Sequence, residues 1–479
     1  MKIPTLLAAL LTIWISVAEA GLQMDLLDID GLNTFKAKYL DNPGVASSAV
    51  EAIRRKAKQA LANPNPYSVI NSSVIPPNKD LHEFYSWAPY WWPNCKGIKN
   101  VQDEQTDCPY EQKDGQYVPD IGKISDPQDA SSMTTDVTTM ALAYALSGDD
   151  NLAKKTAHLL DTWFLNNKTF MKPELFFGQV IRGKGRNEGR PEGILDLRSF
   201  VYVPPVVALL EKSSVGTSLT KGLKAWFSDY STWLLTSDLG KEEEAAANNH
   251  GSFHIAQTAT YLHFADRDDE ARKLISSYVN GIYKGQINKD GEQPLEAVRT
   301  KPFHYQCFNL VALVYIARLS DKLNGTNVWE AKTDQGATIK TAIDFLVPIT
   351  EGFLADLKNG KKAKEPPDTL TTPLYAARDH YGDPDGRYTA LLNKLIGITT
   401  GPSEFWTVWN PQALPGLNGT SKAGDDDNSG FDGYDGSGDG WNPYGNSTVS
   451  EHSNSGVDNS ARVYNRLWVV VMVTVALLI

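Results

Sequence analysis

Between residue 21 and about residue 400 the apolar positions recur mainly at helical spacing. Leu40, Val45, Val50, Ile53 and Ala57 make one stripe. Thr139, Ala143, Tyr144 and Ala145 make a second, and Ala153, Ala157, Leu160, Trp163 and Phe164 a third. Between these two stands Ser147-Gly148-Asp149-Asp150, whose glycine and aspartates mark a tight turn, so the pair reads as a helical hairpin. Further helical runs begin near Arg198, Lys221, Phe253, Asp269, Tyr305, Ile339 and Pro373, several closing on Gly, Asn or Asp. Strand-type alternation is nearly absent. Helices joined by short turns over this length predict an all-α fold, an incomplete (α/α) toroid or barrel of helical hairpins. A plain helical solenoid would carry a regular sequence repeat, and the chain has none.

The two ends follow a different pattern. Met1-Lys2 precede an apolar run over 6–17, and Ala18-Glu19-Ala20 has the small-x-small form of a signal-peptidase site, so 1–20 reads as a signal peptide. That run is shorter than the ~20 apolar residues a spanning helix requires. The last residues, 467–479, form an uninterrupted apolar tail, preceded by a polar stretch and by the small residues Asn454, Ser455 and Gly456. This is the layout of a glycosylphosphatidylinositol (GPI) attachment signal, with Asn454 or Ser455 as the attachment residue and 457–479 as the removed propeptide. Residues 424–456 are rich in Gly, Asp and Ser and almost free of aliphatic side chains, which predicts an acidic stalk. Its Asp-x-Asp repeats lack the closing Glu and flanking helices of an EF-hand, so calcium is not expected there. What remains, 21–423, is the expected catalytic domain, presented at the outer face of a cell.

Composition narrows the partners. Lys and Arg number 46 against 57 Asp and Glu, a net charge of −11, which argues against nucleic acid as the main partner because phosphate binding needs a basic footprint. An acidic ligand is then compatible only with a local basic site. Sequons at Asn71, Asn167, Asn324, Asn418 and Asn446 fit a secretory route. Cys95 and Cys108 flank a short Pro- and charge-rich loop, so a local disulfide is the natural pairing in an oxidising compartment. Cys307 lies in an apolar run and reads as a buried free thiol.

Three segments concentrate candidate chemistry. The first contains Trp87, Tyr90, Trp91 and Trp92 among Pro89 and Pro93, which no regular amphipathic helix accommodates. An irregular Trp/Tyr loop at a groove suits the C–H faces of sugar rings, and core filling is the competing reading. The second runs over 176–190, where Gln179, Arg182 and Arg190 stand among glycines and further cations, a locally positive loop suited to a carboxylate. The third contains Asn248-Asn249-His250-Gly251 at a helix start, then Glu292-Gln293-Pro294-Leu295-Glu296, Arg299-Thr300 and His304-Tyr305. His250 and His254 are one helical turn apart, but Gly251 occupies the position where a zincin carries Glu, and no metal or other cofactor is expected.

Asn-Asn-His-Gly, the Gln-Pro-Leu-Glu-x-x-Arg-Thr string, the downstream Tyr305, the Tyr-Trp-Trp-Pro loop and Asn187-Glu188-Gly189-Arg190 together resemble the alginate lyase family of polysaccharide lyases, over about residues 80–395. The resemblance implies an (α/α) toroid that cleaves a polymer of uronic acid by β-elimination, acting as a monomer on an acidic polysaccharide. It implies that Asn249, His250 and Arg299 neutralise the uronate carboxylate, and that Tyr305 is base and acid, with His250 as the alternative base for the opposite epimer. Trp87, Tyr90, Trp91, Trp92, Gln179, Arg182, Arg190, Asn248 and His304 are the expected substrate contacts. Arg299 is expected to favour the Tyr305 phenolate. The fungal-type ends and the cysteine pair depart from the bacterial pattern, which keeps glucuronan beside alginate as a substrate. Two other classes compete: a non-catalytic wall-polysaccharide-binding protein, which would need the tryptophans but not the four polar residues together, and a glycoside hydrolase on a similar toroid, which would need paired carboxylates.

Overall fold

A computed structural model describes residues 24–41, 47–183, 188–396 and 406–410. The chain divides into one unit of residues 1–445 and another of 446–479, and every described residue belongs to the first. The expected signal peptide, stalk and GPI propeptide, with Asn418, Asn446 and Asn454, lie outside the described residues, as do 184–187 of the basic loop.

The main body is built from helices α1 (Ser47–Ala62), α2 (Asp126–Ser147), α3 (Asp150–Phe164), α4 (Val203–Leu210), α5 (Gly216–Thr236), α6 (Asp238–Glu244), α7 (Asn249–Phe264), α8 (Asp268–Asn280), α9 (Pro302–Lys322), α10 (Ile339–Lys358), α11 (Thr371–Tyr381) and α12 (Arg387–Ile396). They fall into two kinds. α8 buries Ala271, Leu274, Ile275, Tyr278 and Val279 and leaves its other side to solvent, the one-sided stripe of an outer helix. α7 is buried almost all round from Gly251 to Leu262, and α9 nearly so, which only an interior helix sustains. α7 packs against α5, α6, α8 and α9, α9 also against α10 and α11, and α2 against α1, α3 and α4. An inner set of helices is thus backed by amphipathic partners.

Local signals set the hairpin of α2 and α3. Gly148 closes α2 at φ +74°, a left-handed conformation that glycine adopts without steric cost, and its N–H donates to the Tyr144 carbonyl at 2.7 Å. The Asp149 side chain then caps α3 by accepting from Asn151 N at 3.0 Å. Aromatic packing fixes the junction behind it. Phe164, Phe200, Phe227 and Tyr230 surround Trp226, with the Phe164 ring centroid 4.7 Å away, and Trp226 Nε1 donates to the Met171 carbonyl at 2.8 Å.

Among the described residues four short strands interrupt the helices, two of them within the aromatic segment whose prolines exclude a helix. β1 (Tyr85–Trp87) pairs parallel with β4 (Phe177–Val180), and β2 (Trp91–Pro93) pairs antiparallel with β3 (Tyr110–Gln112). The Cys95–Cys108 disulfide closes the loop between β2 and β3, and Cys307 is a buried free thiol. β4 crosses the 3-10 helix Pro191–Tyr202 at two glycines: a Cβ on Gly193 would lie 2.5 Å from the Gly178 carbonyl carbon. Nothing larger than glycine fits there, and the crossing brings Gln179 and Glu192 to the same place.

Candidate active site

The start of α7, Arg299 just beyond the short helix Pro294–Ala297, the start of α9, β3 and β4 converge on a cleft of about 280 Å³. Asn248 is the N-cap of α7, and its Oδ1 accepts from His250 N at 3.1 Å. Gly251 explains the fourth position of the Asn-Asn-His-Gly string, because a Cβ there would lie 2.1 Å from the Ala246 carbonyl oxygen. The helix start is therefore pressed against the preceding turn, and Asn249 and His250 are aimed into the cleft.

Each polar group in the cleft is held by a second group. Asn249 donates from its backbone N and from Nδ2 to the two oxygens of Glu296, both at 2.7 Å. Burial raises the Glu296 carboxyl above its usual range, and these two donations partly offset that. His250 Nδ1 lies 2.7 Å from Glu243 Oε1. Burial alone would lower the His250 pKa, but Glu243 and Glu192 outweigh it and the pKa is raised. Arg299 donates through Nη2 and Nε to Asp114 at 3.0 and 3.3 Å. Burial pulls the Asp114 carboxyl up, and Arg299 overrides it to leave it below the usual carboxylate range. Arg190 pairs with Glu192 in the same two-point manner.

Tyr305 sits on the first turn of α9 with the Arg299 guanidinium 3.9 Å from its ring centroid. Its hydroxyl is hydrogen-bonded to Tyr90, which donates in turn to Tyr117 at 3.4 Å. The expected lowering of the Tyr305 pKa by Arg299 is corrected here: burial, helped by Tyr90, outweighs the guanidinium and raises the phenol, so the resting side chain is protonated.

The structure thus brings Asn248, Asn249, His250, Arg299, His304, Tyr305, Tyr90, Gln179 and Arg190 to one cleft. Gln179 reaches it from a left-handed backbone at φ +50°, held by Ser86 Oγ, which accepts from its N at 2.6 Å, and by Asp196, which accepts from Nε2 at 2.8 Å. His304 stacks against Phe308 at the cleft wall.

Trp87, Trp91, Trp92 and Arg182 do not line this cleft. Trp87 is buried, donates to the Tyr85 hydroxyl at 3.0 Å and lies under the Arg182 guanidinium at 3.9 Å. Arg182 is consumed by Asp120, at 2.7 and 2.9 Å, and by Gln105 at 2.7 Å. Trp92 donates to the Gln116 carbonyl at 2.9 Å under Lys113, and Trp91 lies 5.6 Å from the Arg190 guanidinium. Of the basic loop's cations among the described residues, Arg190 reaches the cleft, where it is paired with Glu192. His254, one turn beyond His250, points into the core near the Leu234 carbonyl, and no group of three metal-ligating side chains occurs among the described residues.

Sequence reasoning missed Glu243 and Glu192. Glu243 stands outside the Asn-Asn-His-Gly string and Glu192 two residues after Arg190, and both come near His250 only through the fold.

A family model described as alginate lyase matches residues 69–353. Among solved structures, the chain is similar to an alginate lyase from Bacteroides ovatus, at 30% identity and a TM-score of 0.71, over 81% of this chain and 99% of that one. It is also similar to a histidine-to-alanine variant of alginate lyase A1-III in complex with a tetrasaccharide, at 16% identity and a TM-score of 0.42, over 70% of this chain and 88% of that one. Curated proteins give no match.

Proposed function

Because the chain belongs to the alginate lyase family, we propose that it is a polysaccharide lyase that cleaves a β-linked polyuronate, alginate or glucuronan, by β-elimination in the cleft around His250. The observation that carries this reading is the convergence of Asn249, His250, Arg299 and Tyr305 on one cleft. Elimination removes the C5 proton of a uronate, forms the C4=C5 double bond and breaks the C4–O bond, whose oxygen takes up a proton. The carboxylate next to C5 must be neutralised for that proton to become acidic enough. His250, Arg299 and the second Nδ2 hydrogen of Asn249 are the donors available for it.

Tyr305 serves both proton transfers in this reading. Its raised pKa suits the donor role, since a protonated phenol can deliver its hydrogen to the leaving oxygen. For the base role the phenolate must form first, and Arg299 is the cation close enough to favour it. A hydrolase reading has less support, because every cleft carboxylate is engaged: Glu296 by Asn249, Glu243 by His250, Glu192 by Arg190 and Asp114 by Arg299.

We further propose an incomplete (α/α) toroid, which the inner and outer helices support, acting as a monomer. We also propose a secretory route, with the signal peptide removed, a GPI anchor at Asn454 or Ser455, and glycans on exposed Asn71, Asn167 and Asn324. Release of the protein from cells by phospholipase C tests the anchor, and retention through an intact C-terminal peptide contradicts it.

The test of activity is a panel of alginate, mannuronan and glucuronan, followed by ultraviolet absorbance with a chelator present. A rise from the conjugated 4,5-unsaturated end on at least one polymer is expected. New reducing ends without that absorbance would contradict the lyase reading.

A further inference from the structure

His250 is gripped from behind the cleft. Glu243, its side chain only 3% exposed, stands on α6 and meets Nδ1 at 2.7 Å. An ionised carboxylate only accepts hydrogen bonds, so Nδ1 carries the hydrogen and Nε2 is the ring nitrogen left for the cleft. The backbone is fixed on both sides, by the Asn248 cap on His250 N and by the close approach of Gly251 to Ala246. The charged groups around the ring come from three helices and the turn after one of them. Glu243 stands on α6, Glu192 on the 3-10 helix, Glu296 on the helix Pro294–Ala297, and Arg299 just beyond it. Glu192 is also engaged by Arg190, and Arg299 by Asp114, which leaves Glu243 as the carboxylate in direct contact with the imidazole.

We propose that Glu243 is the positioning residue of His250: it turns Nε2 toward the cleft and holds a negative charge against Nδ1, so that His250 serves the substrate carboxylate as a charged donor. The direction of the His250 shift agrees, since the carboxylates overcome the opposing effect of burial. A neutral His250 would instead be free to accept the C5 proton. Glu243 thereby separates the two roles open to this histidine and leaves the proton transfers to Tyr305. The kinetic consequence rests on the polyuronate-lyase reading, whereas the protonation state of the ring does not.

The experiment is nitrogen NMR of the full chain labelled in histidine, with His250 assigned by the signal lost in His250→Gln. In the wild type the neutral ring, reached at alkaline pH, should carry its hydrogen on Nδ1. In Glu243→Gln the His250 titration midpoint should move to lower pH, and Glu243→Asp, which retains the charge, should restore part of that move. On the best polyuronate, Glu243→Gln should lose roughly tenfold or more in kcat near neutral pH, by analogy with the carboxylates that orient metal-bound histidines. The basic limb of its pH profile should move to lower pH. A wild-type neutral ring protonated on Nε2, or an unmoved midpoint in folded Glu243→Gln, would overturn the proposal. If that variant does not fold, the wild-type tautomer decides alone. Absence of cleavage on every polymer would count against the function proposed above, while the tautomer and the titration midpoint would still decide the role of Glu243.

Discussion

Arg299 is asked to do two things, and their cost can be worked from its position. It lies 3.9 Å from the centroid of the Tyr305 ring while pairing with Asp114 on its other side. Two unit charges at that separation interact by roughly 4 kcal/mol at the effective dielectric of a partly buried site. The phenolate charge resides mainly on the oxygen, beyond the centroid, so about 2–3 kcal/mol is the share Arg299 contributes to forming the base. Arg299→Gln should therefore lower kcat by about 30- to 150-fold through Tyr305 alone, and further through the lost contact with the substrate carboxylate. Arg299→Lys keeps a charge without the planar fork and should fall between wild type and Arg299→Gln. The Arg299–Asp114 pair is partly open to solvent, so water can take the place of the lost partner and the fold should survive. Steady-state kinetics by ultraviolet absorbance, with circular dichroism to verify folding, makes the measurement. Since Arg299 holds the phenol pKa down against burial, the limb that reports Tyr305 ionisation should also move to higher pH in Arg299→Gln. A folded Arg299→Gln enzyme with near-normal kcat and an unmoved limb would refute the reasoning.

Two further outcomes concern stability. Burial pushes His254 down to about 4, so between pH 6.5 and about 4 the unfolded chain binds a proton that the folded chain does not. Stability should fall as pH drops through that window by up to about 3 kcal/mol and level off below it, and His254→Gln should flatten the dependence in denaturant titrations at a series of pH values. Trp226→Ala should cost about 3–5 kcal/mol, because it removes the ring on which Phe164, Phe200, Phe227 and Tyr230 pack; a loss below about 1 kcal/mol would show that the cluster collapses around the gap.

Where the chain's local chemistry decides the structure, the sequence was legible. The α2–α3 turn needs only a glycine that tolerates φ +74° and an aspartate that caps the next helix, and both stand in the sequence. The Asn-Asn-His-Gly string likewise announces a helix start with a cap and a close contact. Glu243 is different: it stands in Lys241-Glu242-Glu243-Glu244, and only the rotation of α6 buries Glu243 while exposing Glu242. Arg182 and Trp87 have the composition of a sugar platform, yet Asp120, distant in sequence, captures the arginine and turns the pair into packing. The protonation of Tyr305 was hidden for the same reason. Arg299 is visible six residues upstream, while the burial and the contact with Tyr90, distant in sequence, that reverse its effect arise only in the folded chain.

The central claim is elimination at this cleft with Tyr305 moving the proton, and product mass tests it most directly. Digestion of the best polyuronate should give fragments whose new non-reducing ends are lighter by one water than hydrolysis would leave, and Tyr305→Phe, folded as the wild type, should release about 100-fold fewer of them or less. Fragments of full hydrolytic mass, or undiminished release by Tyr305→Phe, would contradict the account.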